Sequence, residues 1–148
     1  ALGLQVVSIR PTSFFNNLYF NLEEIRTQST MSTPLGTSAK VNWVSCKDIA
    51  AVAAKVLTAV QWDQSGTVID VTGPKENTLS GPEVVKILTK NLGMDKPIVY
   101  KETDIPPSPE YAGLWLFLRN GGFDCHVDSI EKITSEPATK FDDISFHL

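Results

Sequence analysis

Short apolar strands alternating with amphipathic helices place this chain in the α/β class, with a largely parallel sheet. Two observations carry that reading. Strand-like runs rich in Val and Ile recur at residues 5–9, 40–44, 67–71 and 98–101, and helical apolar stripes with their own capping residues stand between them. The 148 residues also suit one ordinary domain, which at this size buries about 68–70% of its unfolded surface. A parallel sheet of this kind is covered on both faces, and its crossovers are right-handed.

Each element has a local reason. Gln5-Val6-Val7-Ser8-Ile9 is β-rich, and Arg10-Pro11 closes it because Pro has no N–H for a ladder. Residues 14–25 predict a short helix with Phe14, Phe15, Leu18, Leu22 and Ile25 near one face. The Thr-, Ser- and Gly-rich stretch 27–39 reads as loop with room for a short strand. Residues 40–44 form a strand that includes Trp43. Ser45 then caps a helix, with Asp48 where a capping carboxylate reaches back. Ile49, Val52, Ala53, Val56, Leu57 and Val60 make its apolar stripe. A turn at 61–66 leads to the strand 67–71, which Thr72-Gly73-Pro74 ends.

Ser80-Gly81-Pro82-Glu83 is a capping box, and Val84, Val85, Leu88 and Leu92 supply the buried side of its helix. Gly93 suits the left-handed position that closes it. Ile105-Pro106-Pro107-Ser108-Pro109 is a stiff connector. Residues 110–119 form a helix with Tyr111, Leu114, Trp115 and Leu118 inward, stopped by Asn120-Gly121-Gly122. A short helix at 129–133 and a helical turn from Thr139 complete the chain.

Composition excludes several function classes. The apolar share of 42% rules out a disordered chain. A net charge of −4 with scattered Lys and Arg argues against nucleic acid and anionic membranes as partners. No apolar run approaches the roughly 20 residues of a membrane helix, and no secretory leader is visible. Cys46 and Cys125 form no metal-binding spacing. They read as two reduced, part-buried thiols, with a disulfide as the minority alternative, and point to a cytoplasmic protein.

Catalytic layouts are missing. The chain holds no GxGxxG, GxxGxxG, GxxxxGK[ST] or GxSxG, and no Tyr followed four residues later by Lys. His147 lies near a frayed end. His126 neighbours Cys125 and Asp124, but adjacent side chains on a strand point apart. Glu23-Glu24 and Asp142-Asp143 read as solvated faces, because adjacent positions on a helix do not face one another. No residue is therefore assigned to catalysis and none to a metal.

One loop has functional promise. Residues 10–17 follow the carboxyl end of an apolar strand, where ligands sit in open α/β sheets. Thr12 and Ser13 offer hydroxyls, Asn16 and Asn17 offer amides, Pro11 fixes the turn, and Phe14 and Phe15 offer an apolar wall. An ordinary strand-to-helix connection with a Phe staple accounts for the same residues. Trp43 likewise reads as core or pocket wall.

Four segments in order resemble passages of NmrA-like atypical short-chain dehydrogenase/reductases. They are VVSIRPTSFFNNL, WVSCKDIAAVAAKVL, VIDVTGPKENTLSGPEVVKILTKNLG and GGFDCHVDSIEKITSEPATKFDDI. The resemblance covers nearly the whole chain but matches only the C-terminal half of that family. It implies the last strands and helices of a Rossmann-like sheet over residues 1–72, then a small substrate-binding α/β subdomain over 73–148, together one partial domain. It also implies NADP or NAD as cofactor and a small-molecule substrate. Pro11, Thr12, Ser13 and Phe14 would lie by the nicotinamide, with Phe15, Asn17 and Trp43 on the substrate side. Where many relatives have Glu, this chain has Asn16. The nucleotide-cradling glycines and the usual catalytic Lys or Tyr would lie upstream of Ala1. Two functions follow as expectations. One is half of an NAD(P)H-dependent oxidoreductase, inactive alone and completed by its N-terminal half. The other is a non-catalytic redox-sensor module that binds a regulatory protein. A truncated product with no function is the bland alternative.

Overall fold

The computed structural model describes residues 6–59, 66–106 and 108–145. Gln5, Val60, the turn at 61–65, Pro107 and His147, all used in the sequence reading, lie outside them. Seven strands are present among the described residues: β1 Ser8–Pro11, β2 Ser13–Phe14, β3 Thr30–Thr33, β4 Lys40–Val44, β5 Val68–Val71, β6 Thr78–Ser80 and β7 Val99–Glu102. The helices are α1 Leu22–Gln28, α2 Cys46–Thr58, α3 Gly81–Asn91, α4 Pro109–Arg119 and α5 Ser129–Thr134, with a 3₁₀ turn at Phe15–Asn21 leading into α1.

The α/β class and the parallel pairing hold. β1 runs parallel to β5, β2 to β4, and β3 to β7. The pairs form three small sheets, and β6 adds one antiparallel ladder to β4, with Val41 opposite Leu79. β2 and β6 went unread in the sequence because strands of two or three residues show no period. Pro11 does not end β1 early. Ser8 N donates to Thr67 O at 3.0 Å and Thr12 N to Val71 O at 3.1 Å. Donors to β5 therefore fall on even positions, so the missing N–H of Pro11 costs this ladder nothing. The helix expected over 14–25 is split. Phe14 belongs to β2, the 3₁₀ turn follows, and only Leu22 onward is α-helical.

α2 begins as its cap predicts, with Ser45 Oγ accepting from Lys47 N at 3.1 Å. Its buried stripe is narrower than the periodicity suggested. Val52 is fully buried, but Leu57 is 84% exposed. Asp48 does not reach back to the cap. Its carboxylate accepts from Thr139 N and Thr139 Oγ1, both at 2.8 Å, and pins the tail to α2. Glu24 is not a solvated residue either. It is half-buried and accepts from Ser32 N at 2.9 Å, tying α1 to β3.

The capping box of α3 is built as read. Glu83 accepts from Ser80 N at 2.8 Å and from Ser80 Oγ at 2.7 Å. These bonds hold the Glu83 carboxyl below its ordinary value of 4.5, with Lys40 adding to the effect. A depressed carboxylate pKa stabilises the fold above the unfolded value. That stabilisation fades as pH falls through the folded value. Glu83→Gln should keep the capping acceptor but lose its charge, cost about 0.3–1 kcal/mol near neutrality and flatten the acid limb of stability. Urea midpoints for both proteins, near neutrality and in acid, check this; parallel acid limbs would contradict it.

Two apolar cores flank β4. Val41 and Trp43 point into a larger one with Phe15, Leu18, Ile25, Met31, Val84, Leu88 and Phe141. Val44 points into a smaller one with Val52, Ile69, Val71 and Ile130. The alternation is the period of two expected for a strand covered on both faces. No described helix is long and apolar enough to cross a membrane.

Candidate functional site

The chain leaving β1 at Pro11 turns at once into β2 and then the 3₁₀ segment. This brings residues 11–21 over the edge of β4. Between them, the β3 end (Met31–Leu35), the start of α3 and the inner side of α4 lies a cavity of about 580 Å³. Its wall includes Pro11, Thr12, Ser13, Phe14, Asn17 and Trp43. The structure thus gathers six of the seven residues that the resemblance implicates around one space, while Asn16, the other amide of the loop, is exposed and outside the lining. Phe15 is the exception: it is buried in the larger core, its ring centroid 5.2 Å from that of Phe141 in an edge-to-face pair. Phe14 and Phe15 part company because one ends a strand while the other opens the 3₁₀ turn.

α4 differs from its sequence reading. Leu118 is buried, but Tyr111 and Leu114 are 58% and 45% exposed. They line the cavity with Trp115 and Leu118 rather than filling a core. Arg119, at the end of α4, holds this wall in place. It donates to the Pro34 and Thr103 carbonyls and pairs with Glu102 at 3.0 Å. Tyr100 braces the opposite loop, donating to Gly36 O at 2.9 Å, with its oxygen 2.8 Å from Thr33 Oγ1. Burial pushes the Tyr100 phenol above its ordinary pKa.

Among the described residues, the lining has no Asp, Glu, Lys, Arg, His or Cys. Its polar groups are mostly engaged. Thr12 Oγ1 donates to Asn42 Oδ1 at 3.1 Å, Asn21 Nδ2 to Ser32 O at 3.2 Å, and Asn17 Nδ2 to Ser13 Oγ at 3.3 Å. The Trp43 indole N–H is buried without a hydrogen-bond partner, and Trp43 itself is 8% exposed. Such a site offers an apolar, aromatic enclosure with a few hydroxyls and amides. Apart from the Tyr111 phenol, it offers no group for proton transfer.

Beneath the wall are two buried asparagines that sequence reasoning missed. Asn42 accepts from Thr12 and from Gly73 N (2.8 Å), and donates to Gly73 O, Pro74 O and Thr78 Oγ1 at 3.0–3.2 Å. Asn77 donates to Trp43 O and Thr139 O, both at 3.0 Å, and accepts from Phe141 N at 2.8 Å. A Cβ on Gly73 would overlap the Trp43 carbonyl oxygen and sit 2.6 Å from Asn77 Nδ2. Only glycine lets the 72–74 turn approach β4 this closely. The available signal was a polar residue set between Val41 and Trp43 in the apolar part of β4.

The remaining candidates lie away from the cavity lining. His126 Nε2 is 2.9 Å from Asp128 Oδ1, and its Nδ1 is 3.1 Å from Gly73 O, so the ring braces the same turn. Cys46 and Cys125 are free and exposed, not part-buried. Among the described residues no cluster of His, Cys, Asp or Glu could hold a metal ion.

No protein-family model matches the chain. An NAD(P)H azoreductase from Xenophilus azovorans is 35% identical over 98 residues, which is 66% of this chain and 32% of that protein. A nucleoside-diphosphate-sugar epimerase from Staphylococcus aureus superposes with a TM-score of 0.77 at 16% identity, over 95% of this chain and 51% of that one. An NADPH-dependent quinone oxidoreductase from Escherichia coli gives 0.76 at 17%, over 95% and 54%. The chain therefore shares the Rossmann-like α/β fold of these solved epimerase and reductase structures. The chain spans about a third of the azoreductase and about half of each solved neighbour.

Proposed function

We propose that this chain supplies the nicotinamide-facing and substrate-facing half of an NAD(P)H-dependent oxidoreductase. The observation that carries the reading is the uncharged cavity at the carboxyl end of β1, walled by Pro11, Thr12, Ser13, Phe14, Asn17 and Trp43. Ligands of open α/β sheets bind at such strand ends. The E. coli neighbour has also been solved with NADPH, which supports the same cofactor here. In this reading Pro11–Phe14 face the nicotinamide, while Asn17 and Trp43 bound the substrate. Phe15 holds the wall from behind and leaves the substrate set. The cofactor supplies the hydride. The chain's residues position the ring, exclude water and hold an apolar acceptor against it. The glycine-rich phosphate cradle, which this sequence lacks, would come from the other half.

One observation favours a second reading. Among the described residues the lining holds no carboxylate, imidazole or amine, so the site also suits a non-catalytic sensor of nucleotide redox state where the other half supplies no catalytic Lys or Tyr. The test is the intact mass of the natural gene product together with calorimetric NADPH titration of that product. We expect a longer mass, binding on the order of micromolar, and loss of binding in Ser13→Trp. A product of these 148 residues alone that binds no NADPH would overturn the proposal. Binding without turnover of any aromatic acceptor would select the sensor.

A further inference from the structure

Residues 138–144 belong to no β-ladder and no α-helix, and contain only the 3₁₀ turn Phe141–Asp143. Side chains of the body nevertheless fix them along their length. Glu131 Oε1 accepts from Ala138 N at 3.2 Å, and Asp48 accepts from Thr139 N at 2.8 Å. Asn77 spans two residues, donating to Thr139 O at 3.0 Å and accepting from Phe141 N at 2.8 Å. Asn91 Nδ2 donates to Asp142 O and Ile144 O, both at 3.1 Å. Ala138 and Phe141 are buried and Ile144 is half-buried, while Lys140, Asp142 and Asp143 are exposed. Anchors at every third residue, with main-chain bonds between them, are how a groove holds a peptide: the bonds give affinity and the pockets give specificity. The groove has its own supports. Asn77 also donates to Trp43 O, its N–H bonds to Pro74 O, and Asp48 sits in the first turn of α2. The connection into the segment is free of the groove. Ser135, Glu136 and Pro137 are exposed, Ser135 has φ +62, and the N–H groups of Ser135 and Glu136 bond back to Glu131 O and Thr134 Oγ1 in α5.

We infer that this groove is a peptide site that takes residues 138–144 from a second copy of the chain as well as from its own. The groove already fits that sequence, and every copy presents it behind the same exposed connection, so exchange needs no new contact. Exchange places the partner's Phe141 against Phe15 and Trp43, where the chain's own ring packs at 5.2 and 6.1 Å. Trp43 walls the cavity, so each copy then backs the site of the other. Selection falls on Phe141, the largest anchor, and on Thr139, whose hydroxyl donates to Asp48 Oδ1 at 2.8 Å. A short connection gives the chain's own segment an effective concentration in the millimolar range. The closed form therefore dominates in dilute protein, and exchange shows once the chain's own segment is weakened.

Two full-length variants and one peptide test this. Phe141→Leu keeps the groove and weakens the segment. Asn77→Asp keeps the segment and removes the donor to Thr139 O. Mixed in equal amounts, they should form a dimer by light scattering, with a Tm above that of either variant alone and rising with protein concentration. The dimer joins an intact groove to an intact segment, which neither variant has by itself. The second arm needs only Phe141→Leu. A synthetic peptide of residues 137–145, PATKFDDIS, should raise its Tm by about 3–6 °C at about ten times the peptide Kd. If Phe141→Leu does not fold alone, the same peptide should restore a cooperative unfolding transition. The peptide with Ala in place of Phe141, and a scrambled peptide, should do neither. A mixture that unfolds as the sum of its two components would overturn the inference. So would a Tm that PATKFDDIS leaves unmoved, or that the scrambled peptide moves equally. Neither arm uses nucleotide, so the result is independent of the oxidoreductase reading.

Discussion

Replacing Asn42 with alanine should destabilise the chain by about 3–4 kcal/mol. Asn42 is fully buried, and both ends of its amide are in use. Alanine leaves the Gly73 N–H and the Thr12 hydroxyl without their acceptor, while the carbonyls of Gly73 and Pro74 keep only His126 Nδ1 and Asn77 N. Each buried polar group left unpaired costs about 1–3 kcal/mol, and partial relaxation of the 72–74 turn keeps the total below their sum. Against a usual domain stability of about 5–15 kcal/mol the loss is large. Asn42→Asp separates shape from hydrogen bonding. It keeps the acceptor, loses the donor and adds a buried charge, so its deficit relative to wild type should narrow in acid, where the carboxyl is neutral. Urea unfolding of the three proteins is the measurement. A loss below about 1 kcal/mol for the alanine variant would mean that water replaces the amide, and the hub described here would be wrong.

Phe141→Ala should cost about 3–5 kcal/mol, the usual range for emptying a buried aromatic site. The ring is 1% exposed and packs edge-to-face on Phe15 at 5.2 Å and on Trp43 at 6.1 Å. It also lies behind the cavity wall. With it gone, Trp43 loses the surface that fixes its orientation, so its fluorescence should shift to the red. Thermal unfolding reads the first effect and the emission maximum reads the second. A destabilised protein with unchanged Trp43 emission would show that Phe141 supports the core without setting the cavity.

Much of the architecture was legible because its causes are local. Ser45 caps α2, Glu83 reaches Ser80, and Gly93 adopts φ +61 after α3. These depend on neighbours within a turn, and spacing alone reveals them. That the segment after β1 walls a cavity was legible for a different reason: chain leaving the carboxyl end of a strand crosses the sheet end in α/β topology. Side-chain fate was harder to read. Leu57 fits the apolar period of α2, yet nothing in the described fold covers it. Asp48 sits at a good capping position, but its partner Thr139 is 91 residues away. Phe14 and Phe15 are adjacent and chemically identical, and only the change from strand to 3₁₀ turn sends one to the cavity and the other to the core.

The sequence by itself determined the α/β class, most element boundaries, the absence of a glycine-rich cradle within these residues, and the segment that walls the cavity. These follow from periodicity, caps and breakers, whose range is a few residues. The tertiary structure alone decided the division into three small sheets, the Asn42 and Asn77 hubs, and the use of α4 as an exposed wall instead of a core helix. Those outcomes depend on which distant segments pack together, since hydrogen bonds and burial act through space while sequence patterns report only along the chain.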